Sequence, residues 1–524
     1  MNDTEKELID KIKKYDYIFL SPYKHLEHEI VREEIRTSDI ILAQKKIIHL
    51  CQQTNKKICA VSDSYYLAKD EGKIHEIYLH VKQLGGNRHR LFSYRDRVIE
   101  PDQHYLTTTE MLQAFDYIND DKLLKEIVIE NPINFVNSCQ ENIFPLHQKP
   151  ERPTIKNCAE KLIALIDENT KKIYGLTPPK IVSERIEKEK KSVIGQGFAV
   201  IYWIAHLLVK KSNDDGYLVG SRGSVGSSLL AYLANISEVN PLPSHYLCKH
   251  CHHFEIFPQK NNLIDGFDLP PKKCPCCGKE MISDGHNIPF EVFLGFKPGD
   301  KTPDIDLNFS GDYQAIAHNF IKGMFGEMHA FRAGTIATVA AKTAYGYVKN
   351  YFEEVRSDFQ PTNALIKYYS KRCEGVKRTT GQHPGGIVIV PKQFDVCDFT
   401  PYNYPSNDKS KNWYTTHFAF QTIHDTLLKF DILGHDEPTI LNYLFKLTGI
   451  NPLTIPNFDT KVISLFSNSK SLNIIDENYD VNKIATIGLP EFGTEISRDI
   501  IAETKPQCIG DLIKISGLSH GTNV

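Results

Sequence analysis

Residues 303–309 read Pro-Asp-Ile-Asp-Leu-Asn-Phe, and residues 429–434 read Lys-Phe-Asp-Ile-Leu-Gly. In both stretches acidic and apolar residues alternate, which is the pattern of a β-strand with one buried face. Asp304 and Asp306 therefore share a face, and Asp431 has the matching position in the second strand. Carboxylates about 6–7 Å apart along a strand repel each other unless a cation lies between them. The two stretches predict a site for hard divalent cations such as Mg²⁺.

Each acidic motif also has an ordinary structural explanation when it is taken alone. An isolated Asp-x-Asp is most often an exposed strand with two hydrated carboxylates, and Asp431 could belong to a core strand that ends at a glycine turn. On neighbouring strands, however, the three acids would form a clamp for two metal ions, which stabilises the attacking and leaving oxygens of phosphoryl transfer. Lys429 has the same strand parity as Asp431 and can face the same phosphates.

A glycine- and serine-rich segment precedes the first acidic motif, at residues 220–228. Its glycines let a backbone come close to a ligand, and Arg222 offers a planar fork for phosphate oxygens. A helix from Leu229 to Ala234 would direct its N-terminus at the anion. The P-loop lysine is absent, and a plain flexible turn is the alternative. The predicted phosphate-binding residues of this segment are Gly220, Ser221, Arg222, Gly223, Ser224, Gly226, Ser227 and Ser228.

Two Cys-x-x-Cys pairs, separated by 22 residues, lie between this segment and the first acidic motif. This spacing is typical of a structural zinc site, in which four thiolates close the coordination shell. Unrelated buried thiols are the alternative, and Cys276 is ambiguous because it lies inside the second pair. The predicted Zn²⁺ ligands are Cys248, Cys251, Cys274 and Cys277.

A second glycine-rich segment, residues 377–387, combines two cations, two hydroxyls and three glycines. It predicts a loop that contacts phosphate, with Arg378 and His383 as candidates. Residues 342–380 hold eight Lys or Arg against four Asp or Glu, which indicates a locally basic surface, although a run of charge is more often a solvated face. Arg332 is a weaker candidate for a further phosphate contact.

The composition bounds the class of protein. The chain has 524 residues, of which 41% are hydrophobic and 24% charged, so two to four globular domains are expected. Its formal net charge is −3, so a nucleic acid would have to be held by local basic patches or through divalent metal. The apolar run from Phe198 to Val209 is too short to span a membrane, and the N-terminus has no secretory signal. A cytoplasmic location without membrane attachment is therefore predicted.

The pattern of apolar residues predicts a chain of mixed secondary structure. Residues 1–100 alternate helical stretches, such as 34–53, with short strands, such as 57–61. Residues 106–195 are expected to be mostly helical, and residues 198–211 have apolar residues all round, as a buried helix would. The motifs described above all lie within residues 216–440.

Taken in this order, the motifs resemble the PolC-type DNA polymerase III alpha subunit of low-GC Gram-positive bacteria, over about residues 55–524. The most specific stretches are 214–228, the two cysteine pairs, 295–313, 377–386 and 428–438. The resemblance implies a multidomain α+β fold with a DNA polymerase β-like nucleotidyltransferase palm, a helical thumb and a four-cysteine zinc site. It implies that Asp304, Asp306 and Asp431 hold two catalytic Mg²⁺. Residues 220–228 would cradle the triphosphate, helped by Lys429, Arg378 and His383.

The resemblance also predicts a division of the chain. Residues 1–105 would be the C-terminal remnant of a PHP domain, and residues 106–215 a helical thumb and palm connection. Residues 216–440 would be the palm, with the zinc knuckles inserted at 248–278, and residues 441–524 the start of truncated fingers. The family's OB-type domain, exonuclease and most of its PHP domain would be missing. Tyr65 replaces a histidine of the family pattern, which argues against a metal in the PHP remnant.

The expected function is that of a DNA-directed DNA polymerase in replication, which transfers a nucleotide from a dNTP to a primer 3′-hydroxyl. The expected partners are a DNA primer–template, dNTPs and a separate chain carrying the rest of the polymerase, with the sliding clamp and clamp loader. The alternative is a catalytically inactive or split fragment that acts as a zinc-braced DNA- or replisome-binding module. A template-independent nucleotidyltransferase shares the acid geometry. We expect the isolated chain to extend primers poorly.

Overall fold

The computed structural model of the protein describes residues 4–26, 35–82, 89, 102–258, 265–297, 302–356, 359–405, 408–410, 413–456, 458–474 and 480–519. Residues 298–301, inside the stretch 295–313 on which the resemblance partly rests, lie outside the described residues. The terminal residues 520–524, which the sequence analysis reads as truncated fingers, lie outside them as well.

The described strands, in chain order, are β1 (Tyr17–Leu20), β2 (Lys57–Ala60), β3 (Gly220–Arg222), β4 (His245–Leu247), β5 (Phe254–Ile256), β6 (Ile282–Asp284), β7 (Asp306–Ser310), β8 (Ala330–Thr338), β9 (Lys377–Ile389), β10 (Tyr402–Asn403), β11 (Thr415–Ala419) and β12 (Leu428–His435). The described α-helices are α1 (Glu5–Ile12), α2 (Thr37–Gln53), α3 (Gly72–His80), α4 (Thr108–Ala114), α5 (Asp121–Lys125), α6 (Asn131–Ser138), α7 (Cys158–Tyr174), α8 (Lys180–Gly195), α9 (Ala199–Asp214), α10 (Leu229–Leu233), α11 (Glu291–Leu294), α12 (Gln314–Phe325), α13 (Ala341–Glu354), α14 (Asn363–Cys373), α15 (Asp436–Thr448), α16 (Thr460–Ser464), α17 (Glu495–Thr504) and α18 (Ile509–Ser519).

The chain forms two compact units, and their boundaries differ from the predicted domain boundaries. The first unit contains residues 1–145 and 336–379, and the second contains residues 146–335 and 380–524. Residues 336–379 had been predicted as part of the palm. They join the first unit because α13 and α14 pack against α3, around the buried side chain of Ile77.

The first unit is a small α/β arrangement, as its alternating pattern indicates. Strands β1 and β2 pair in parallel, and β2 ends one residue before the predicted strand end at residue 61. Helix α2 begins at Thr37. Its start is capped because Asp39, in the first turn, accepts a hydrogen bond from the backbone N–H of Arg36. The predicted start of this helix, at residue 34, lies outside the described residues. Buried apolar side chains of α2, β2 and the following helices share one core.

The second unit places three helices, α7 to α9, beside a mixed sheet. Helix α9 is buried on several sides, as its apolar sequence predicts, and Tyr202, Ala205 and Leu208 are at most 1% exposed. No single helix of the described residues is long and apolar enough to cross a membrane. Helices α8 and α9 meet that criterion only as a pair, and they are bent by 106° relative to each other.

The mixed sheet has seven strands in the order β10-β11-β8-β9-β12-β7-β3. Strands β7 and β12 run parallel, whereas β9 and β3 lie antiparallel to them on either side. Leu307 of β7 and Phe430 and Ile432 of β12 face a large apolar core shared with the helices. Alternation along a strand therefore directs the polar residues of β7 and β12 to the opposite face.

A second, three-stranded sheet of order β5-β4-β6 carries the cysteine pairs. Cys248 follows β4 directly, and Cys274 lies in the connection to β6. The module has its own small core, which includes Tyr246, Leu269 and Met281. A core of this size gives little stability by itself, so a crosslink between the cysteines would contribute much of it.

The apolar side of β12 gives a test of this arrangement. Phe430 is 2% exposed, and Phe430→Ala should destabilise the second unit by about 3–5 kcal/mol because it leaves a cavity. Phe296 is 88% exposed, and Phe296→Ala should change the unfolding free energy by less than about 0.5 kcal/mol. The measurement is hydrogen exchange of β12 amides as a function of urea. Equal effects of the two substitutions would contradict the assigned core.

Candidate active site

The three predicted acids lie together at the junction of β7 and β12. Asp431 is directly opposite Asp306 in the parallel register. Asp304 precedes β7, which begins at Asp306, so the prediction of one strand through both acids was wrong by two residues. The alternation nevertheless continues through Asp304, because Ile305 between the acids is buried. One carboxylate oxygen from each acid lies within 4.8 Å of those of the other two.

The electrostatics of this cluster favour a bound cation. Desolvation, together with the charges of Asp304 and Asp431, raises the pKa of Asp306 to about 6. Desolvation and Asp431 also raise the pKa of Asp304. Both shifts indicate that three negative charges crowd one space with too little positive charge to balance them.

Two carboxylate oxygens at the centre of the cluster are orphaned. Oδ1 of Asp306 and Oδ1 of Asp431 are buried and have no hydrogen-bond partner among the described residues. Buried polar atoms without partners are rare in folded proteins, and in a cluster of acids they are suited to act as ligands of a cation. Carboxylate oxygens are the ligands that Mg²⁺ prefers, so the residues present fit such an ion.

Lys429 is the cation nearest to the acids. Its ammonium lies 2.7 Å from Oδ2 of Asp431 and 4.9 Å from the ring centre of Phe420. The side chain is 18% exposed, so the pair is partly shielded from water. Lys429 therefore partners one oxygen of Asp431 and leaves the other oxygen available for a metal ion.

The first half of the glycine- and serine-rich segment also reaches the acids. Strand β3 pairs with β7 so that Arg222 is opposite Asp306. Gly223 follows with φ of +71°, a conformation that favours glycine, and a Cβ atom there would lie 3.8 Å from Oδ2 of Asp306. Gly220, Ser221 and Ser224 are partly exposed beside this edge.

The second half of that segment is turned into the protein. Gly226, Ser227 and Ser228 are buried. The hydroxyl of Ser228 donates to Glu189 over 2.8 Å and lies 2.9 Å from the hydroxyl of Tyr202. These three residues cannot touch a phosphate in this conformation, contrary to the prediction.

The prediction that a helix N-terminus points at the anion is also wrong. The backbone N–H groups of Leu229 and Leu230, at the start of α10, each donate to the Glu189 carboxylate over 3.0 Å. Burial raises the pKa of Glu189, while Arg185 and these N–H groups act in the opposite direction. No motif in the sequence indicates this contact, because Glu189 lies in the charged helix α8, about forty residues upstream.

The second glycine-rich segment, residues 377–387, lies on the other side of the acids, in β9. Gly386 is directly opposite Asp431 in the antiparallel register with β12. Nδ1 of His383 lies 3.6 Å from Oδ1 of Asp431. The same nitrogen accepts hydrogen bonds from the N–H groups of Gly385, at 3.2 Å, and Gly386, at 2.7 Å. It is therefore an acceptor and forms no ion pair with Asp431. Arg378 is exposed at the start of β9, in the part of the strand that belongs to the first unit.

Arg332 is not available to a phosphate, contrary to the sequence-based suggestion. It is 8% exposed, and its guanidinium donates to the carbonyl oxygens of His383 and Pro384. Gln314 is a second residue that the motifs did not indicate. Its amide nitrogen donates to the carbonyl oxygens of Ile432 and Pro384, which ties β12 to β9 beside Asp431.

An open cleft of about 540 Å³ adjoins the acids. Asp304 and Lys429 line it on one side, together with Ser224 of the glycine- and serine-rich segment. Phe420 and Phe293 contribute apolar surface. A cleft with a few polar groups and apolar walls next to perturbed carboxylates is typical of a site for a small organic ligand.

The four predicted zinc ligands come together in the three-stranded module. Their sulfur atoms all lie within 4.8 Å of one another, and the Cys248–Cys277 and Cys251–Cys274 sulfur pairs are each 3.4 Å apart. Backbone N–H groups at residues 250 and 251 help to lower the pKa of Cys248 to about 6. Cys276 is exposed and lies outside the cluster, next to His253. This donor set fits a tetrahedral Zn²⁺ site.

Comparison with known proteins agrees with these motifs. The sequence model of the bacterial DNA polymerase III alpha NTPase domain matches residues 160–367 and 347–434. The model of the finger domain of the same subunit matches residues 437–524. Together the matched ranges contain the acids, both cysteine pairs and both glycine-rich segments.

Several proteins named DNA polymerase III PolC-type match the chain from end to end. The one from Bacillus subtilis is 48% identical over 531 residues, and the one from Mycoplasmopsis pulmonis is 47% identical over 525 residues. The one from Ureaplasma parvum is 46% identical over 521 residues. These alignments cover 99–100% of this chain but 36% of each relative. The mixed α+β chain described here therefore belongs to the bacterial DNA polymerase III alpha-subunit family.

Proposed function

We propose that the second unit contains the nucleotidyl-transfer site of a DNA-directed DNA polymerase. The observation that carries the proposal is the convergence of Asp304, Asp306 and Asp431, with two orphaned oxygens, in a chain of this family. The substrates would be a dNTP and the 3′-hydroxyl of a primer paired to a DNA template. The seven-stranded sheet would be the palm, of the DNA polymerase β-like type.

The three acids would hold two Mg²⁺ ions. Bound there, the ions would lower the pKa of the primer hydroxyl and neutralise the triphosphate and the leaving pyrophosphate. Asp306 and Asp431 face each other across adjacent strands, so each can contribute an oxygen to a shared position. Asp304 is more exposed and borders the cleft, so it would contribute a ligand oxygen on the side that faces a bound nucleotide.

The residues around the acids would bind the triphosphate. Lys429 borders both Asp431 and the cleft, so its ammonium would reach a phosphate oxygen of a nucleotide bound in the cleft. Gly220, Ser221, Arg222, Gly223 and Ser224 would supply backbone and side-chain donors from the opposite edge. Gly226, Ser227 and Ser228 would support this stretch from inside. Arg378 remains a predicted phosphate contact.

The cysteine cluster would hold one structural Zn²⁺. Four thiolates leave no open coordination position, so the ion would stabilise the small module and take no part in the chemistry. Residues 106–215 would contribute a thumb, and residues 441–524 the start of the fingers. Replisome proteins such as the sliding clamp would bind the complete polymerase.

Substitution of Asp431 tests the metal site. Asp431→Asn keeps the shape of the side chain and removes its charge. Mn²⁺ affinity should fall by at least about 100-fold, because even changes outside the ligand shell cost about 10–100-fold. The measurement is an electron paramagnetic resonance titration with Mn²⁺, alongside primer extension by the chain mixed with the remaining finger region of a relative.

The matched control for that experiment is Asp214→Asn. Asp214 is an exposed acid that pairs with Lys210 in helix α9. Its substitution should leave Mn²⁺ affinity and primer extension unchanged. Equal Mn²⁺ binding by the Asp431 variant and the unsubstituted chain would overturn the proposed site.

The zinc site is tested by two cysteine substitutions. Cys248→Ser should reduce the zinc content from one ion per chain to none, because it removes one of four thiolates. Cys276→Ser should retain the ion, because Cys276 lies outside the cluster. The measurement is inductively coupled plasma mass spectrometry of protein purified without chelator. If Cys276→Ser lost the ion and Cys248→Ser retained it, the assignment of the zinc ligands would be wrong.

A further inference from the structure

Arg332 is a buried cation without a carboxylate partner among the described residues. It is 8% exposed, and burial lowers the pKa of its guanidinium to about 10. Burying a charge without an opposite charge costs free energy. A buried arginine of this kind is therefore expected where its hydrogen bonds hold neighbouring groups in place. The groups that accept those hydrogen bonds therefore indicate what Arg332 does.

The acceptors are neutral and belong to two structural elements. Nη2 donates to the carbonyl oxygens of His383, at 2.9 Å, and Pro384, at 2.7 Å. Nη1 lies 2.5 and 3.0 Å from the two ring nitrogens of His318. A guanidinium can only donate, and an imidazole has an acceptor nitrogen only when it is neutral, so one of the two ring nitrogens of His318 accepts and the ring is neutral. One planar group therefore fixes two consecutive carbonyls of β9 against helix α12.

The segment that Arg332 holds is closely packed on its other sides. A Cβ atom at Gly386 would lie 2.9 Å from Nδ1 of His383 and 3.0 Å from Cβ of Ala333. A Cβ atom at Gly385 would lie 2.7 Å from Cδ2 of Leu433. Only glycine fits at these positions. Because Gly386 has no side chain, the imidazole of His383 can pack directly against the backbone of its own segment.

The imidazole of His383 has a defined tautomer as a result. Its Nδ1 accepts from the N–H groups of Gly385 and Gly386, so the neutral ring carries its proton on Nε2. The ring stands 3.6 Å from Oδ1 of Asp431, next to the predicted metal position. Without the fixed backbone, neither the tautomer nor the distance from Asp431 would be maintained.

We propose that Arg332 is a positioning residue of the polymerase site. It holds the carbonyls of His383 and Pro384 so that the His383 ring stays beside Asp431, with Nε2–H as a donor for a phosphate oxygen of the nucleotide. This proposal rests on the proposed function and adds to it a residue that does not touch the substrate. A purely structural Arg332 would stabilise β8 and β9 without affecting nucleotide binding through His383.

The first test concerns the geometry and needs no nucleotide. Arg332→Gln removes the charge and one side of the fork, and should speed hydrogen exchange of the Gly385 and Gly386 amides at least about tenfold in the full chain. Exchange in strands β4 to β6 should not change. Unchanged exchange at the two glycines would overturn the proposal. Arg332→Lys keeps the buried charge but cannot bond to the two carbonyls and to His318 at the same time. Exchange at the two glycines should therefore also be faster in this variant. It replaces the Gln variant in the experiment if the Gln variant does not fold.

The second test is a double-mutant cycle on nucleotide binding. The probe is a fluorescent dATP analogue with Mn²⁺, titrated into the full chain. Arg332→Gln and His383→Ala should each weaken binding about tenfold, and the double variant should bind no more weakly than His383→Ala, because Arg332 acts through His383. Arg332→Lys should not restore binding.

The outcomes separate this proposal from the proposed function. Additive losses in the double variant, or full rescue by lysine, would show that Arg332 acts as a core residue or as a remote charge, and would overturn the positioning role alone. Absence of nucleotide binding by the unsubstituted chain would refute the proposed function, and the positioning role with it.

Discussion

Mutual repulsion among three carboxylates is the constraint on which the arrangement of the second unit depends. Asp304, Asp306 and Asp431 would separate if their strands were free to move. The strands are held because their other faces carry apolar residues, such as Leu307 and Ile432, that are buried against the helices. The free energy gained by burying that core opposes the repulsion. A pair of divalent cations would remove the repulsion among the carboxylates.

On both flanks of the acids, a buried ionisable side chain bonds to backbone groups of the neighbouring segment. Glu189 accepts from the first N–H groups of α10 and so fixes the glycine- and serine-rich segment from inside. Arg332 donates to two carbonyls of β9 and fixes the histidine segment. Each flank of the acid cluster is thus held by one buried ionisable group, which would keep the backbone rigid where a phosphate approaches.

Local patterns in the sequence predicted those parts of the molecule that depend on local geometry. Alternation placed Asp306 and Asp431 on one face of a sheet, and the spacing of the cysteine pairs predicted a compact cluster of Cys248, Cys251, Cys274 and Cys277. The errors involve contacts between residues far apart in the sequence. Glu189 lies about forty residues before the N–H groups that it binds. No spacing rule encodes such contacts.

The proposed role of Asp304, Asp306 and Asp431 is to hold two metal ions. The most direct measurement is anomalous X-ray scattering from a crystal of the chain soaked with Mn²⁺ and a non-hydrolysable dNTP. The account predicts two Mn²⁺ peaks about 3.5–4 Å apart, the separation typical of two-metal sites, both bound to carboxylate oxygens of Asp304, Asp306 or Asp431. Ions bound only away from these three acids, or no ion at all, would contradict it.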